Sequence, residues 1–363
     1  MSTIHISGVT RKSADHEVIQ TIEQTAARAF DDYSWLKASD LVWLKVALNS
    51  SDPYPATTDW RAVKAIAEQI ISRGGRVIVA DQSGIEYDSK GNEKQSPSEY
   101  CYAASGMARS GMEFRALEDY GHDIYTDLRA AHWPNGFRVT RLLQDADHII
   151  NLPRVSGHGQ AGESLGAKSW VGALQREDRY AFHAQGPLYW FIRWVKMRSG
   201  EELPKADGRR AFFEMIAELA LAFRPKLRGT LFVATKVQAT LGPNKHLMSL
   251  FGRIGFFKAY VAEPQVGVII ASDDPIAADA AALAFLFGCY ERTPWFHRLL
   301  QRILIFANGR IKPPGYGIWT NPVISHQLEL GLGTKPTSLA AHDLPPELVA
   351  DLERRLNLDR QTR

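Results

Sequence analysis

Residues 41–81 read LVWLKVALNSSDPYPATTDWRAVKAIAEQIISRGGRVIVAD, and this stretch decides the fold. Leu41 to Leu48 is an apolar run of strand length, and the SSDPYPATTD that follows is rich in turn formers. From Trp60 to Ser72 the residues Val63, Ile66, Ala67, Ile70 and Ile71 recur at helical spacing and predict one apolar face. Gly74 and Gly75 close that helix, and Arg76 to Ala80 is a short β-branched strand. Strand, helix and strand in this order make a βαβ unit, with parallel strands and a right-handed crossover. Further strands are predicted at His148 to Leu152, Gly229 to Ala234 and Val266 to Ala271. The last runs through SDDP into a helix, where Asp273 or Asp274 can cap and Pro275 occupies the first turn. The expected fold is α/β, an open, mostly parallel sheet with helices on both faces and a helical, aromatic-rich insertion. Residues 1–178 and 227–334 are expected to form the core domain. Residues 179–226 would be the insertion covering the strand ends, and 335–363 a peripheral C-terminal segment.

Composition narrows the function classes. With 363 residues, 45% hydrophobic and 23% charged, the chain can bury one large core or two moderate ones. A net charge of +3, without an aromatic-basic repeat or zinc-finger spacing, argues against a nucleic-acid partner. Cys101 and Cys289 are too few for a cluster held by four thiolates, so no iron-sulfur cluster is expected and both read as buried, reduced thiols. The start, MSTIHISGVTRKSADHE, lacks the apolar core of a secretory signal, and no apolar run is long enough to span a bilayer. A cytoplasmic protein without membrane contact is the expectation. SRGG and GHGQAG form neither a Walker loop nor a GxGxxG turn, and GxSxG and HExxH are absent.

Chemistry concentrates in DADHIINLPRVSGHGQAGESLGAKSWVG, Asp145 to Gly172. An apolar strand here delivers a polar, glycine-rich loop holding His158 and Lys168, and its glycines let backbone amides approach a ligand closely. The loop is a candidate cradle for an anion or a metal, against the alternative of an ordinary long connection. The other predicted strands also end in polar residues: Lys45 and Asn49, Asp81 and Gln82, Lys236, and Ser272 with Asp274. In open α/β sheets, ligands bind beyond the carboxyl ends of the strands, which predicts one shared site there. Lys45 and Lys168 suit phosphate or carboxylate, and Lys168 suits base or nucleophile chemistry if burial lowers its pKa. His158 suits acid-base work or metal ligation, and His183 is a second ligand candidate. Asp279 lies one turn into the Asp274-Pro275 helix among small residues, and a carboxylate buried there needs a partner. With Asp81 and Asn49 it could supply oxygens to a hard cation such as magnesium.

Taken together, LKVALN (44–49), VIVADQSG (77–84), NLPRVSGH (151–158) and AKSWVG (167–172), followed by LGP (241–243), IIASDDPIAADAAA (269–282) and LGLG (330–333), resemble the family of domain of unknown function 362. The resemblance runs from about Lys45 to Gly333 and rests on the shared order of weak motifs. Relatives usually carry two lysines before the loop histidine, where this chain has Arg154 and Ser156, and Lys-Asn where it has Lys168 and Ser169. The family's aspartate after the strand near Phe232 is not evident in LFVATKVQ. Many relatives resemble electron carriers through fused ferredoxin modules, which this chain does not show.

The expected function is an enzyme acting on a small anionic substrate by acid-base or metal-assisted chemistry. His158, Lys168 and Asp279 would be catalytic. Lys45, Asn49, Arg154, Gly157, Gly159 and Ser169 would hold the substrate, and Asp81, His183 and Asp279 a divalent metal. A noncatalytic ligand-binding, cofactor-delivery or redox-partner protein is the alternative. The aromatic runs at 186–197 and 248–260 and the amphipathic stretch 293–311 read as core, dimer interface or membrane contact, so a homodimer stays in view.

Overall fold

The computed structural model describes residues 2–87, 94–159, 161–183, 211–242, 258–307 and 317–358. The first half runs β1 (Ser2–Thr10), α1 (Asp15–Ala29), β2 (Leu41–Val46), α2 (Trp60–Ser72), β3 (Arg76–Asp81), α3 (Pro97–Ala104), β4 (Phe114–Ala116), β5 (His122–Tyr125), β6 (Phe137–Thr140), α4 (Leu142–Asp145) and β7 (His148–Leu152). It continues through β8 (Arg154–His158), β9 (Gly162–Ser164), α5 (Gly166–Ser169), a 3-10 turn at Trp170–Ala173, α6 (Arg176–His183), α7 (Phe212–Phe223) and β10 (Leu227–Gln238). The remainder is β11 (Val261–Ala262), β12 (Val266–Ser272), α8 (Pro275–Glu291), α9 (Trp295–Ala307), α10 (Pro322–Glu329), β13 (Pro336–His342) and α11 (Pro346–Leu356). The aromatic run 186–197 and residues 248–257 fall outside the described residues.

Eleven of these strands form one sheet, ordered β13-β1-β12-β10-β7-β2-β3-β4, with β8, β9 and β11 attached beside β10. The α/β expectation holds, and β2, β3, β4, β7 and β10 run parallel. The sheet is sandwiched because successive strand residues face opposite sides. Val42, Leu44 and Val46 meet Val63, Ile66 and Ile70 of α2 and Val18 and Ile22 of α1 on one face. Trp43 and Ile149 meet Phe212, Ile216, Leu219 and Phe223 of α7 on the other. Farther along that second face, Phe232 and Ile270 pack on Ile276, Ala280 and Leu283 of α8. The helix α7, within the segment expected as a cover, therefore belongs to the main core. Trp170 stacks on Phe223, with ring centroids 4.4 Å apart, tying the 3-10 turn to α7.

One strand departs from the expected convergence. β12 runs antiparallel to β10, so although Ser272 is level with Thr230, Asn151 and Lys45, the chain beyond it heads away from the ends of β2, β3 and β7 and carries Asp274 with it. There Asp274 caps α8 through the amides of Ile276 and Ala277 and accepts from the Thr334 amide. It is a structural cap. Because α8 then runs back over the sheet, Asp279 reaches the Gly166 segment.

Candidate functional site

A buried polar row crosses the sheet. Lys45 pairs in register with Ala80 and Asn151, Asn151 with Thr230, and Thr230 with Ser272. Lys45, Asn151, Thr230 and Ser272 are all buried. By alternation they share the face of Trp43 and Ile149, where apolar residues would otherwise continue the core. The segment Gly166 to Ala173 lies over this row, and two of its glycines are required by the contact. A Cβ on Gly166 would sit 2.5 Å from Asp279 Oδ1, and one on Gly172 would sit 2.2 Å from Asp81 Oδ1 and 3.3 Å from Lys45 Nζ.

Each charge under that segment has an assigned partner. Lys45 Nζ lies 2.8 Å from Asp81 Oδ1 and donates to the Val46 carbonyl at 2.7 Å, while Asp81 Oδ2 accepts from the Leu48 amide at 2.7 Å. Burial pushes the Lys45 ammonium below its ordinary pKa, and the Asp81 carboxylate opposes that shift. Asp279 accepts from the amides of Gly166 (2.8 Å) and Ala167 (2.9 Å). Its pKa is pushed up to about 7 by burial, against the two amides, which favour the ionised form. Asn151 Nδ2 donates to the Gly166 carbonyl, and Ser169 Oγ lies 2.8 Å from both Asn151 Oδ1 and Gly166 O. Lys45, Asp81, Asn151 and Asp279 thus hold the Gly166–Ala173 segment in place.

The structure does not assemble the expected metal set. Among the described residues, Asp81, His183 and Asp279 form no ligand cluster, because the two carboxylates are turned to Lys45 and to backbone amides. His183 Nδ1 instead lies 2.8 Å from the Arg179 carbonyl. Asn49 is half-buried where its carbonyl accepts from the Gly84 amide, and Lys236 pairs with Glu263 at the surface.

The glycine loop is a hairpin, with β8 and β9 paired at Gly157↔Glu163 and His158↔Gly162. Gly157 is needed because its Cβ would meet the Ala239 carbonyl at 2.7 Å, and the Gly159 amide donates to the Gly242 carbonyl. Within the hairpin His158 is buried, and its Nδ1 accepts from the Ala161 amide at 3.0 Å. An accepting Nδ1 leaves the proton of the neutral ring on Nε2. Desolvation first, then the charges of Lys168, Arg154 and His183, hold the imidazole well below its ordinary pKa. Lys168, Arg154 and His183 are thus the charges that bear on His158, and Glu163, opposite Gly157 in the hairpin, is a buried carboxylate close by. Arg154 is buried, with Nη1 3.2 Å from Gln238 Oε1.

Two spaces border this hairpin. A void of about 20 Å³, room for about one water, is lined by Glu163, Lys168, Ile216, Asp279 and Asn321. A cavity of about 320 Å³ is lined by Gly157, Gly162, Glu163, Phe287, Tyr290 and Gln301. Gln301 fixes its wall by donating to the His158 carbonyl at 3.0 Å. Gly172, Glu163, Arg179 and Gln301 are site residues that the sequence reading did not single out. Only Gly172 carried a signal, as the last glycine of the loop.

Residues 42–284 match the family described as Domain of unknown function (DUF362). The chain belongs to this family. The match spans the polar row, the His158 hairpin and Asp279, while Gln301 and Asn321 lie beyond it. A comparison with curated proteins gives no match. The family description carries no reaction. No helix among the described residues is long and apolar enough to cross a membrane.

Proposed function

We propose that this chain is a cytoplasmic enzyme that binds a small anionic molecule, a phosphate or carboxylate, between the His158 hairpin and the Lys168 segment. The observation that carries this reading is the gathering of Lys168, Arg154 and His183 about the buried imidazole of His158. Arg154 is buried and Lys168 half-buried, and positive charge shielded from bulk water favours an anion more than the same charge on an open surface would. Glu163 accepts from Asn321 Nδ2 at 2.5 Å and lines the same void as Lys168. The 320 Å³ cavity borders the same hairpin, but its charged lining is Glu163 and Glu291, so the anion is placed on the Lys168 side.

The chemistry differs from a general-base scheme. With Nδ1 occupied and its pKa depressed, His158 is a poor proton acceptor but a good neutral donor from Nε2. It would polarise a carbonyl or phosphoryl oxygen whose developing negative charge Lys168 and Arg154 stabilise. The same arrangement also suits a noncatalytic ligand carrier, since a neutral donor among cations can hold an anion without transforming it.

Titration calorimetry with inorganic phosphate and a panel of small phosphate esters and carboxylates tests the site. His158→Gln and Lys168→Met should each weaken binding by at least tenfold while circular dichroism stays unchanged. Unaltered affinity in both variants, or no binding of any panel member by the wild type, refutes it. Turnover of a bound panel member, lost in His158→Gln, separates the enzyme from the carrier.

A further inference from the structure

Away from the His158 hairpin, three residues from separate elements meet around one fully buried carboxylate. Glu218 lies in the middle of α7, whose sequence FFEMIAELALAF is otherwise nearly all apolar, and its side chain is 0% exposed. His132 comes from the connection between β5 and β6, and His326 from α10. His132 Nδ1 lies 2.6 Å and His326 Nε2 3.3 Å from Glu218 Oε1. One ligand atom from each of the three residues falls within 4.8 Å of the other two. The backbone amide of His132 donates to Glu218 Oε2 at 3.1 Å, which fixes the plane of the carboxylate.

We propose that His132, Glu218 and His326 form a binding site for a divalent transition-metal ion of the zinc class. Two imidazole nitrogens and one carboxylate oxygen are the donor set such ions take, with bonds of about 2.0–2.2 Å and tetrahedral geometry. Donors in that geometry stand roughly 3.3–3.5 Å apart. The His326 contact already has this spacing, and His132, on a connection with a side chain 37% exposed, has room to turn outward by the remainder.

A second observation points to an ion. On its other side His326 Nδ1 lies 3.1 Å from Glu329 Oε2, the carboxylate-histidine arrangement that orients metal-binding imidazoles. Donation from Nδ1 to Glu329 leaves the Nε2 lone pair of the neutral ring directed at Glu218 Oε1. Two acceptors 3.3 Å apart need a proton or a metal ion between them. Exposure of both histidines (37% and 19%) leaves the fourth coordination position open to water. The ion would clamp α10 and the β5–β6 connection onto α7. These helices also supply Ile216, Val323 and Ile324 to the void beside Lys168, and Asn321 at the cap of α10 joins them, so the metal would brace that wall. The metal site stands independently of the anion reading.

Chelator-treated full-length protein is titrated with ZnCl₂ by calorimetry and with CoCl₂ by visible absorption. The expected result is one equivalent bound, with the intense absorption of tetrahedral cobalt. His132→Gln and His326→Gln, both at partly exposed positions, should fold normally and lose at least 100-fold in affinity. Glu329→Gln should lose about 10- to 100-fold through misorientation of His326. Absence of a stoichiometric site in the wild type overturns the proposal. So does wild-type affinity in both histidine variants, which would place any bound ion elsewhere. Protonated imidazoles paired with Glu218 would then explain the cluster.

Discussion

Replacing Lys45 by Met removes one half of an ion pair that has no access to water. Both side chains are buried, Nζ and Oδ1 are 2.8 Å apart, and Gly172 lies directly over them. Asp81 keeps one partner, the Leu48 amide, but its buried Oδ1 loses the ammonium and has no other hydrogen-bond partner among the described residues. Breaking a buried pair from one side costs about 3–5 kcal/mol. At roughly 2.1 cal/mol/K of unfolding entropy per residue, ~4 kcal/mol over 363 residues lowers Tm by about 5 °C. Asp81→Asn should cost a similar amount, because its amide nitrogen would meet the Lys45 ammonium or the Leu48 amide as donor against donor. The double variant removes both charges, and the carboxamide introduced at position 81 can then turn its oxygen to the Leu48 amide. It should therefore be more stable than either single variant, with a coupling energy of at least ~2 kcal/mol by urea denaturation. A cost below ~1 kcal/mol for Lys45→Met, or a double variant at the sum of the two losses, would refute the pairing. Lys45 would then be available to serve a ligand, as the sequence reading proposed.

Three further outcomes follow from the same geometry. Gly172→Ala places a methyl group 2.2 Å from Asp81 Oδ1, so it should cost at least ~1–3 kcal/mol by urea denaturation and displace the Lys168 segment, seen as weaker anion binding. Asp279→Asn sets an amide nitrogen against the Gly166 or Ala167 amide and should cost ~1–3 kcal/mol; a thermal melt at pH 5 checks it. Because the Asp279 pKa is raised to about 7, its contribution is complete below the unfolded carboxyl value and is lost as pH rises through about 7. Asp279→Asn should remove that alkaline decline from melts at pH 4–8. His158 has the opposite sign: its lowered pKa gives stability that is present above the unfolded value of 6.5 and is lost as pH falls below it. Stability of His158→Gln should therefore fall less than that of the wild type between pH 6.5 and 4.5.

The fold was legible where burial imposes a period. Trp60–Ser72 is a helix with the predicted bounds because its apolar residues repeat every three to four positions and Asp59 caps its amides. β7 and β12 appeared as β-branched runs for the same reason. The direction of β12 was not legible, since the alternation of VGVIIAS is the same read either way. β1 and β13 escaped notice because they pair across more than 300 residues, and β13 is a half-exposed edge strand of small and polar residues. Within the site, strand ends announced Lys45, Asp81 and Asn151. Their partners depended on register: pairing Lys45 with Ala80 puts Asp81 one residue away. Nothing in the sequence joins His132 or His326 to Glu218, 86 and 108 residues distant. A glutamate in the middle of an apolar helix, one turn beyond Glu214, was the one available signal.

The polar row has a physical reason to exist apart from ligand contact. α5 has four residues, too short to hold a helical turn by its own hydrogen bonds. Its conformation is imposed from outside: Asp279 takes its first amides, Asn151 binds the Gly166 carbonyl and Ser169, and the Lys45–Asp81 pair meets Gly172. Burying these groups is unfavourable taken one at a time, and a short apolar loop would close the core with less desolvation. What the buried groups add is position. Lys168 lies between two residues fixed by side chains from the sheet and from α8, so its ammonium is delivered from a rigid base beside the His158 hairpin. A surface lysine needs no such support, whereas a lysine that must meet an anion in one geometry does. In the proposed site, the carboxylates first in view as metal ligands frame the segment that carries Lys168.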